Sequence, residues 1–331
     1  MIQLRTAVSL PEVSKKLSYR QNFLMMGSCF AENIGNWLMQ NCFPIEVNPF
    51  GILYNPASIA NSIESILSNR EFIEKDIFFA DGLWSSFAHH GSFSSPEKEE
   101  VLNKINISNS FASKTLKSCS HLFVTFGTSW VFENRADGKI VGNCHKHPAK
   151  EFNRYRLEVD EMVAMWQKTI DKLFAVNPEI HIILTISPIR HLKDGAFENQ
   201  VSKSALFLLV AKLLEIYGEE RITYFPSYEL VMDELRDYRF YATDMTHMSE
   251  TGIAFLQEKF ETVFIDKESS KIMVQVEKLN RSLSHKPFRP EEKNYRDFID
   301  KMSVEAKKLT KEYPFVNINR IIQVFNRKRV E

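Results

Sequence analysis

An α/β fold organised around a parallel sheet is the fold class that this sequence predicts. Three short apolar segments, Phe23–Met26, His121–Gly127 and His181–Ser187, alternate with segments whose apolar residues recur at helical spacing. Strands that are apolar at nearly every position are typical of parallel sheets covered by helices on both faces. We therefore expect such a sheet, with helices on both sides, over residues 1–266.

The same patterns place the other elements. Short apolar runs predict further strands at Pro44–Pro49 and Ile222–Pro226, and turn residues predict a hairpin of Trp130–Glu133 with Lys139–Gly142. Helical periodicity predicts a helix that ends near Ser68, one that begins at Pro96, and helices at 157–176, 199–217 and 249–264. Residues 71–95 are aromatic and irregular, which indicates a covering segment with short strands.

Residues 267–331 show only helical patterns, divided by prolines. They hold 16 Lys and Arg against 9 Asp and Glu, but the two signs interleave. Interleaved charge favours a solvated helical face over a surface that binds nucleic acid or membrane. We expect this C-terminal extension to pack on the sheet domain or to mediate a homo-oligomer, because its apolar residues need burial.

Composition excludes several classes of protein. The 331 residues are 44% hydrophobic and carry 42 basic and 42 acidic side chains, which suits a globular chain without a nucleic-acid partner. Four cysteines without a CxxC pair indicate reduced thiols. Neither a signal peptide nor a membrane-spanning run is visible, so we expect a cytoplasmic protein. Without a Walker A loop or a Rossmann glycine pattern, we expect no cofactor. The spacing of the His and Cys residues fits no standard metal site, so we expect no metal.

Ser28 stands between the first strand and the first helix, directly after Gly27. Phe30, Ile34 and Trp37 recur behind it at helical spacing. A turn of this kind exposes a hydroxyl above the sheet edge and aims backbone N–H groups at an anion. Serine is also a common helix N-cap. This pattern alone leaves Ser28 as either a cap or a nucleophile.

A candidate catalytic pair, Asp244 and His247, lies near the C-terminal end of the predicted sheet domain. Asp244 precedes His247 by three residues, so its carboxylate can bend back to accept the Nδ1–H of the imidazole. The carboxylate would fix the tautomer and leave Nε2 to take a proton from a serine. The chain order Ser, Asp, His is compatible with this device, although Asp-x-x-His also occurs by chance.

Residues 20–260 contain a series of motifs in a fixed order. The first is Gly27–Ala31, with the sequence Gly-Ser-Cys-Phe-Ala. The others are Asn48–Pro56, Asp81–Trp84, Phe126–Trp130, Asn143–Lys146, Ser187–Asp194 and Arg239–Asp244. In these motifs the chain resembles the GSCFA family, which takes its name from the first of them. The family is similar to the SGNH, or GDSL-type, hydrolases and acyl esterases.

That similarity implies a three-layer, flavodoxin-like α/β/α sandwich. It also implies that Ser28 is the nucleophile, His247 the general base and then acid, and Asp244 its orienting partner. The implied activity is hydrolysis of a short acyl ester, such as an acetyl group on a carbohydrate or polyol, through an acyl-enzyme. Such an ester would be the small-molecule partner.

The sequence departs from the SGNH pattern where the oxyanion would bind. The Gly-x-Asn-Asp of those enzymes corresponds here to Gly127–Trp130, so Ser129 replaces the Asn. We expect the oxyanion and substrate groups to come from the backbone of Ser28, Gly51 and Gly127 and from the side chains of Ser129, Asn143, His145 and Arg190. Arg190 is equally compatible with a structural ion pair.

Other chemistries remain open from the residues alone. Cys144–His147 with His89 and His90 contains zinc-type ligands, although their spacing fits no standard finger. Cys29 lies at a helix N-terminus, which lowers a thiol pKa and allows a cysteine nucleophile.

Two alternatives to an esterase also remain. An O-acyltransferase would use the same triad and keep water from the acyl-enzyme, with residues 71–95 as cover. A non-catalytic binding protein on the same fold is favoured by the missing Asn, because fold does not guarantee function.

Overall fold

Nine strands lie in the part of the chain that the computed structural model describes, residues 6–284 and 293–328. They are β1 (Phe23–Gly27), β2 (Ile45–Val47), β3 (Phe78–Ala80), β4 (Leu83–Ser85), β5 (His121–Phe126), β6 (Trp130–Asn134), β7 (Phe152–Arg156), β8 (His181–Ile186) and β9 (Ile222–Phe225). The apolar runs noted in the sequence form β1, β5 and β8.

Five of these strands form the central sheet, in the order β2-β1-β5-β8-β9. Every neighbouring pair is parallel, which confirms the predicted α/β class with a parallel sheet. The strand that follows β1 in the chain, β2, lies on one side of it in the sheet, whereas β5 and the later strands of the sheet lie on the other side. The connections that leave β1 and β5 therefore run over opposite faces of the sheet. A crevice forms at the carboxyl ends of strands at such a switch point, and ligands bind there.

Helices cover the sheet. They are α1 (Cys29–Gln40), α2 (Pro56–Leu67), α3 (Lys98–Leu116), α4 (Val159–Val176), α5 (Gly195–Tyr217), α6 (Ser227–Glu229), α7 (Glu250–Phe264), α8 (Lys267–Ser284), α9 (Lys293–Glu312) and α10 (Asn319–Lys328). Within the two described ranges, none of the helices combines the length and apolarity needed to cross a bilayer.

Alternate residues of each strand contribute to two separate cores. On one face Leu24, Met26 and Leu122 pack with helices α2 to α5. On the other face Phe23 and Met25 pack with α1 and α7. This alternation follows from the two-residue period of a strand and explains why the strands are apolar at every position.

The C-terminal helices extend the second core. Ile272 of α8, Ile299 of α9 and Phe325 of α10 are buried in the cluster that contains Phe23. The tail is thus a helical region packed against the sheet domain. Residues 285–292 and 329–331 of the predicted extension lie outside the described residues.

The predicted hairpin is only partly right. β6 pairs along its whole length with β7 in antiparallel fashion. Lys139–Gly142 supplies a single bridge, between Glu133 and Ile140. The sequence of β7, Phe-Asn-Arg-Tyr-Arg, is polar and its partner is distant in the chain, so neither periodicity nor a turn pattern revealed it.

Candidate active site

A cavity of about 590 Å³ opens at the carboxyl edge of the parallel sheet. Ser28 after β1, Thr128 after β5 and Ile189 after β8 form one side of it. Trp130 of β6 and Phe152 of β7 form another. The cavity therefore occupies the crevice that the switch point between β1 and β5 creates, where open parallel sheets bind ligands.

Gly27 makes the sharp turn that presents Ser28. Its φ is +128°, and a Cβ at this position would lie 2.2 Å from the carbonyl oxygen of Thr125, so a side chain does not fit. Ser28 then caps α1, its Oγ accepting the N–H of Phe30 at 3.4 Å. The same residue is 1% exposed and lines the cavity, so capping and a role in the site are compatible.

The Asn48–Pro56 loop binds the ends of two strands. Asn48 Oδ1 accepts the N–H of Gly27 at 2.8 Å. The Tyr54 carbonyl accepts the N–H of Gly127 at 2.7 Å. The loop therefore stabilises the ends of β1 and β5 beside the cavity, which explains why this motif and the Gly27 turn occur together.

Asp244 and His247 form the hydrogen bond that their spacing suggests. His247 Nδ1 lies 2.6 Å from Asp244 Oδ2, and Asp244 Oδ1 accepts the backbone N–H groups of Thr246 and His247, both at 2.9 Å. The His247 side chain, followed by these N–H groups, lowers the pKa of the Asp244 carboxyl to about 2. Because an ionised carboxylate only accepts hydrogen bonds, Nδ1 carries a proton, and in the neutral tautomer of the ring it is Nε2 that has the lone pair.

Ser28 and His247 line the same cavity but are not hydrogen-bonded to each other. No hydrogen bond joins Ser28 Oγ to His247 Nε2 among the residues that the structure describes. His247 is half-exposed at the mouth, whereas Ser28 is buried. A second imidazole, His191, also lines the cavity. Burial, followed by the charges of Lys203 and His247, lowers its pKa to about 4, which makes it a weak base.

Backbone groups suggested as oxyanion donors are engaged elsewhere. The three N–H groups donate as follows: Ser28 to Thr125 O at 3.3 Å, Gly51 to Asn48 O at 2.7 Å and Gly127 to Tyr54 O at 2.7 Å. Neither Gly51 nor Gly127 is among the residues that line the cavity.

The two side-chain candidates differ in position. Ser129 is fully buried, and its N–H and Oγ both donate to Ser202 Oγ. Asn143 lines the cavity. Its Oδ1 accepts the N–H of His145 at 2.8 Å, and its Nδ2 has no hydrogen-bond acceptor within the described ranges. Asn143 therefore lies in the cavity and can donate a hydrogen bond from Nδ2 to an oxyanion.

Comparison with protein families gives two matches to this chain. The model of the GSCFA family matches residues 22–260, and the model of the GSCFA domain protein, C-terminal domain, matches residues 276–329. The chain belongs to the GSCFA family. The first match spans the sheet domain and its cavity, and the second spans most of the helical tail. Comparison with curated proteins gives no significant match.

His145 of this GSCFA protein packs beside the cavity instead of lining it. Its Nε2 lies 2.8 Å from Ser86 O and 3.2 Å from His89 O, and His89 is buried in a stack on Phe50. Across the described residues, no group of three or more His, Cys, Asp or Glu side chains is placed to hold a metal ion. Packing and hydrogen bonding therefore explain the positions of the His89 and His145 rings.

The Cys29 thiol also lines the GSCFA cavity. Burial is the largest influence on it and raises its pKa. This effect opposes the lowering expected at a helix N-terminus. The environment therefore favours the protonated thiol over a thiolate nucleophile.

The cover of the cavity differs from the one expected. Residues 71–95 do not line the cavity. Within this stretch β3 and β4 form a small antiparallel hairpin, and Trp84 of β4 also bridges Ser95. The wall comes instead from β6, β7 and residues 141–149 between them. This is a correction, and it follows from the β6–β7 pairing that the sequence did not reveal.

Part of the cavity wall was not predicted as a site from the sequence, including Arg154, Trp130 and Lys193. Arg154 of β7 forms a bidentate pair with Asp194 at 2.5 Å and lies 4.2 Å from the centre of the Trp130 ring. Lys193 completes this part of the wall. Trp130 and Lys193 belong to motifs already matched to the family, so those motifs contained a usable signal. Arg154 gave none, because β7 was not predicted.

Lys203 is the other unexpected residue. It lies on the inner face of α5 and is 2% exposed. Its Nζ donates to the carbonyls of Gly127 at 2.7 Å and Ser187 at 2.6 Å, so it ties the ends of β5 and β8 together. Burial lowers its pKa to about 7. A single Lys in the apolar stripe with Leu206 and Val210 is the signal that could have revealed it.

Proposed function

We propose that this GSCFA protein is a serine esterase that removes a short acyl group from a carbohydrate or polyol. Ser28 is the nucleophile, His247 the general base and acid, and Asp244 the residue that orients His247. The observation that carries the proposal is the 2.6 Å hydrogen bond between His247 and the ionised Asp244, at the mouth of a cavity that also contains Ser28.

The reaction proceeds in two halves. His247 Nε2 takes the proton of Ser28 as Oγ attacks the ester carbonyl, and it then gives that proton to the leaving alcohol. Water resolves the acyl-enzyme by the same steps in reverse. Asp244 stabilises the imidazolium in both halves. The Ser28–His247 contact must form when substrate binds, and catalytic hydrogen bonds are often long before it does.

The sheet supports the similarity to SGNH hydrolases. Its strands, numbered within the sheet, run in the order 2-1-3-4-5, which is that of flavodoxin-like folds. In this proposal Asn143 donates through Nδ2 to the oxyanion. One such donor typically contributes about 3–4 kcal/mol of transition-state stabilisation.

A small apolar cavity supports the short acyl group. It has a volume of about 40 Å³ and shares His247 and Ile189 with the main cavity. Phe30, Ile34 and Leu256 contribute to its lining. An acetyl group suits this space beside the proposed base, whereas a long acyl chain does not.

Two other functions use the same cavity. In an O-acyltransferase, a substrate hydroxyl takes the place of water in the second half. A non-catalytic binding protein is favoured by a specific observation, because the N–H groups of Ser28, Gly51 and Gly127 are all engaged. A catalytic site would then have to stabilise the oxyanion chiefly through side chains.

Ester hydrolysis by matched variants tests the proposal. We expect wild type to hydrolyse 4-nitrophenyl acetate faster than 4-nitrophenyl octanoate, and Ser28→Ala to lose at least roughly 1,000-fold in kcat. Ser187→Ala is the control, because Ser187 is a buried serine that lines the same cavity. Hydrolysis that survives in Ser28→Ala contradicts the proposed nucleophile. Binding without hydrolysis by wild type supports the binding protein.

A further inference from the structure

The cavity wall carries basic side chains and no acidic one. Its ionisable Arg, Lys and His residues are Arg154, Arg190, Lys193, His147, His191 and His247, and no Asp or Glu of the described ranges lines it. The chain as a whole carries 42 basic and 42 acidic side chains, so composition does not explain this excess. A cleft lined by charge of one sign attracts ligands of the opposite sign.

Several of these groups already have an acidic partner outside the wall. Arg154 is paired with Asp194, and His147 lies 3.0 Å from Glu151. His247 is paired with Asp244 in the same way. Arg154 is thus neutralised, and each of these two histidines has a carboxylate neighbour.

Arg190 and Lys193 are the cations left over. Neither forms an ion pair with a carboxylate in the part of the chain that the structure describes. Lys193 is exposed, and its Nζ lies 5.3 Å from the centre of the Phe132 ring. Both residues follow β8 and line the same cavity, so each places a positive charge in its wall.

The Arg190 guanidinium is held with donors unused. Its Nη2 donates to the carbonyl of Met245 at 2.8 Å, and the Tyr241 ring lies 5.3 Å away. Its Nε is buried and has no hydrogen-bond partner among the residues described. A guanidinium binds planar anions through adjacent N–H groups. Because Met245 lies between Asp244 and His247, an anion bound to Arg190 would also steady the turn that holds the proposed base.

We propose that the substrate of this site is an anionic ester, whose carboxylate, sulfate or phosphate group binds between Arg190 and Lys193. This inference rests on the proposed function, since it names the substrate class of the same cavity. The acyl group lies toward Ser28, and the charged group lies at the β8 side of the wall. A neutral ester of the same shape provides no negative charge to pair with either cation.

Binding to an inactive variant tests this inference without turnover. The ligands are methyl glucuronoside and methyl glucoside that carry the same single acetyl ester, titrated calorimetrically into Ser28→Ala at low and high salt. We expect the acid to bind at least about tenfold tighter, with a difference that shrinks as salt rises. A sulfated glucoside is the third ligand. If the sulfate raises the affinity over methyl glucoside as much as the carboxylate does, the site accepts either anion. If it raises the affinity less, the site matches a carboxylate.

Charge-removing variants assign the effect to the two cations. We expect Arg190→Gln and Lys193→Met each to reduce the preference for the acid to less than about threefold. Lys168→Met is the control, because Lys168 is an exposed lysine on α4 that does not line the cavity. If Ser28→Ala does not fold, the ratio of kcat/KM for the two esters on wild type replaces the titration.

The outcomes separate this inference from the proposed function. Equal binding of acid and glucoside, with both acetyl esters hydrolysed in a Ser28-dependent way, overturns the anionic substrate and leaves the esterase standing. Selective binding of the acid by a wild type that hydrolyses neither ester supports the anion site and contradicts the esterase. A preference that survives loss of both cations overturns the assignment to Arg190 and Lys193.

Discussion

Asp244 holds His247 with both oxygens of one carboxylate. Oδ2 lies 2.6 Å from the imidazole Nδ1, and Oδ1 accepts the backbone N–H of His247 at 2.9 Å. In the proposed reaction the first bond orients the ring and compensates the proton that Nε2 gains. The second serves structure, because it closes the turn that carries the ring.

Asp244→Asn separates these two roles. The amide keeps an oxygen for the backbone N–H groups but replaces the oxygen that accepts from Nδ1 by an NH₂ group. We expect kcat for acetyl esters to fall roughly 100-fold or more, with little change in thermal unfolding. Asp237→Asn is the control, because Asp237 also accepts a backbone N–H, from Arg239. Unchanged kcat in Asp244→Asn contradicts the proposed role.

Lys203 predicts a pH-dependent stability. Its pKa is lowered from 10.5 to about 7 in the folded protein, so between these values the unfolded chain binds more protons. The free energy of unfolding therefore rises with pH in this window, by up to about 1.4 kcal/mol per pH unit. This contribution is lost as the pH falls toward 7.

The comparison with Lys203→Met isolates this term. Urea denaturation at pH 7, 8 and 9 measures the difference in unfolding free energy between wild type and variant. We expect the unfolding free energy of wild type to increase relative to that of the variant as the pH rises. We also expect the variant to be less stable by roughly 1–3 kcal/mol at pH 9, because the carbonyls of Gly127 and Ser187 lose their donor. A difference that does not vary with pH contradicts the account.

Gly27→Ala tests the turn that presents Ser28. The added Cβ would lie 2.2 Å from Thr125 O at a φ of +128°. We expect a loss of roughly 2–4 kcal/mol in unfolding free energy. Gly138→Ala is the matched control, since Gly138 has a φ of +67° and open space around it, and we expect it to cost only about 1 kcal/mol. Similar losses in both variants would show that the close approach to Thr125 is unimportant.

Phe325→Ala tests the docking of the C-terminal helices. Phe325 is fully buried in the core that contains Phe23, whereas Phe111 on α3 is 60% exposed. We expect Phe325→Ala to lower the unfolding free energy by about 3–5 kcal/mol. Phe111→Ala should change it by less than about 0.5 kcal/mol. Chemical denaturation measures both, and equal effects would contradict a packed tail.

The central sheet could be predicted because its information is local. β1, β5 and β8 are apolar at almost every position, and helical periodicity separates them. The position of Ser28 followed from the same evidence, since a glycine and a serine stand where β1 ends and α1 begins. The spacing of Asp244 and His247 likewise suggested their hydrogen bond.

The cavity wall could not be predicted, because it depends on contacts between distant segments. β7 has little apolar character, so the β6–β7 pair and Arg154 were missed. The Tyr54 carbonyl that occupies the Gly127 N–H belongs to a loop whose path only the fold determines. The role of Lys203 depends on two carbonyls that packing brings to its amine. Sequence reasoning located the proposed catalytic residues, and also Asn143 and Arg190, but not the part of the wall that β6 and β7 form.

An activated Ser28 is the central claim, and labelling with a fluorophosphonate followed by peptide mapping by mass spectrometry tests it most directly. We expect one adduct, on Ser28, that persists in Cys29→Ala, is strongly reduced in His247→Ala and is absent in Ser28→Ala. A folded wild-type protein that hydrolyses acetyl esters while Ser28 remains unlabelled, or whose adduct maps to Cys29, would contradict the account.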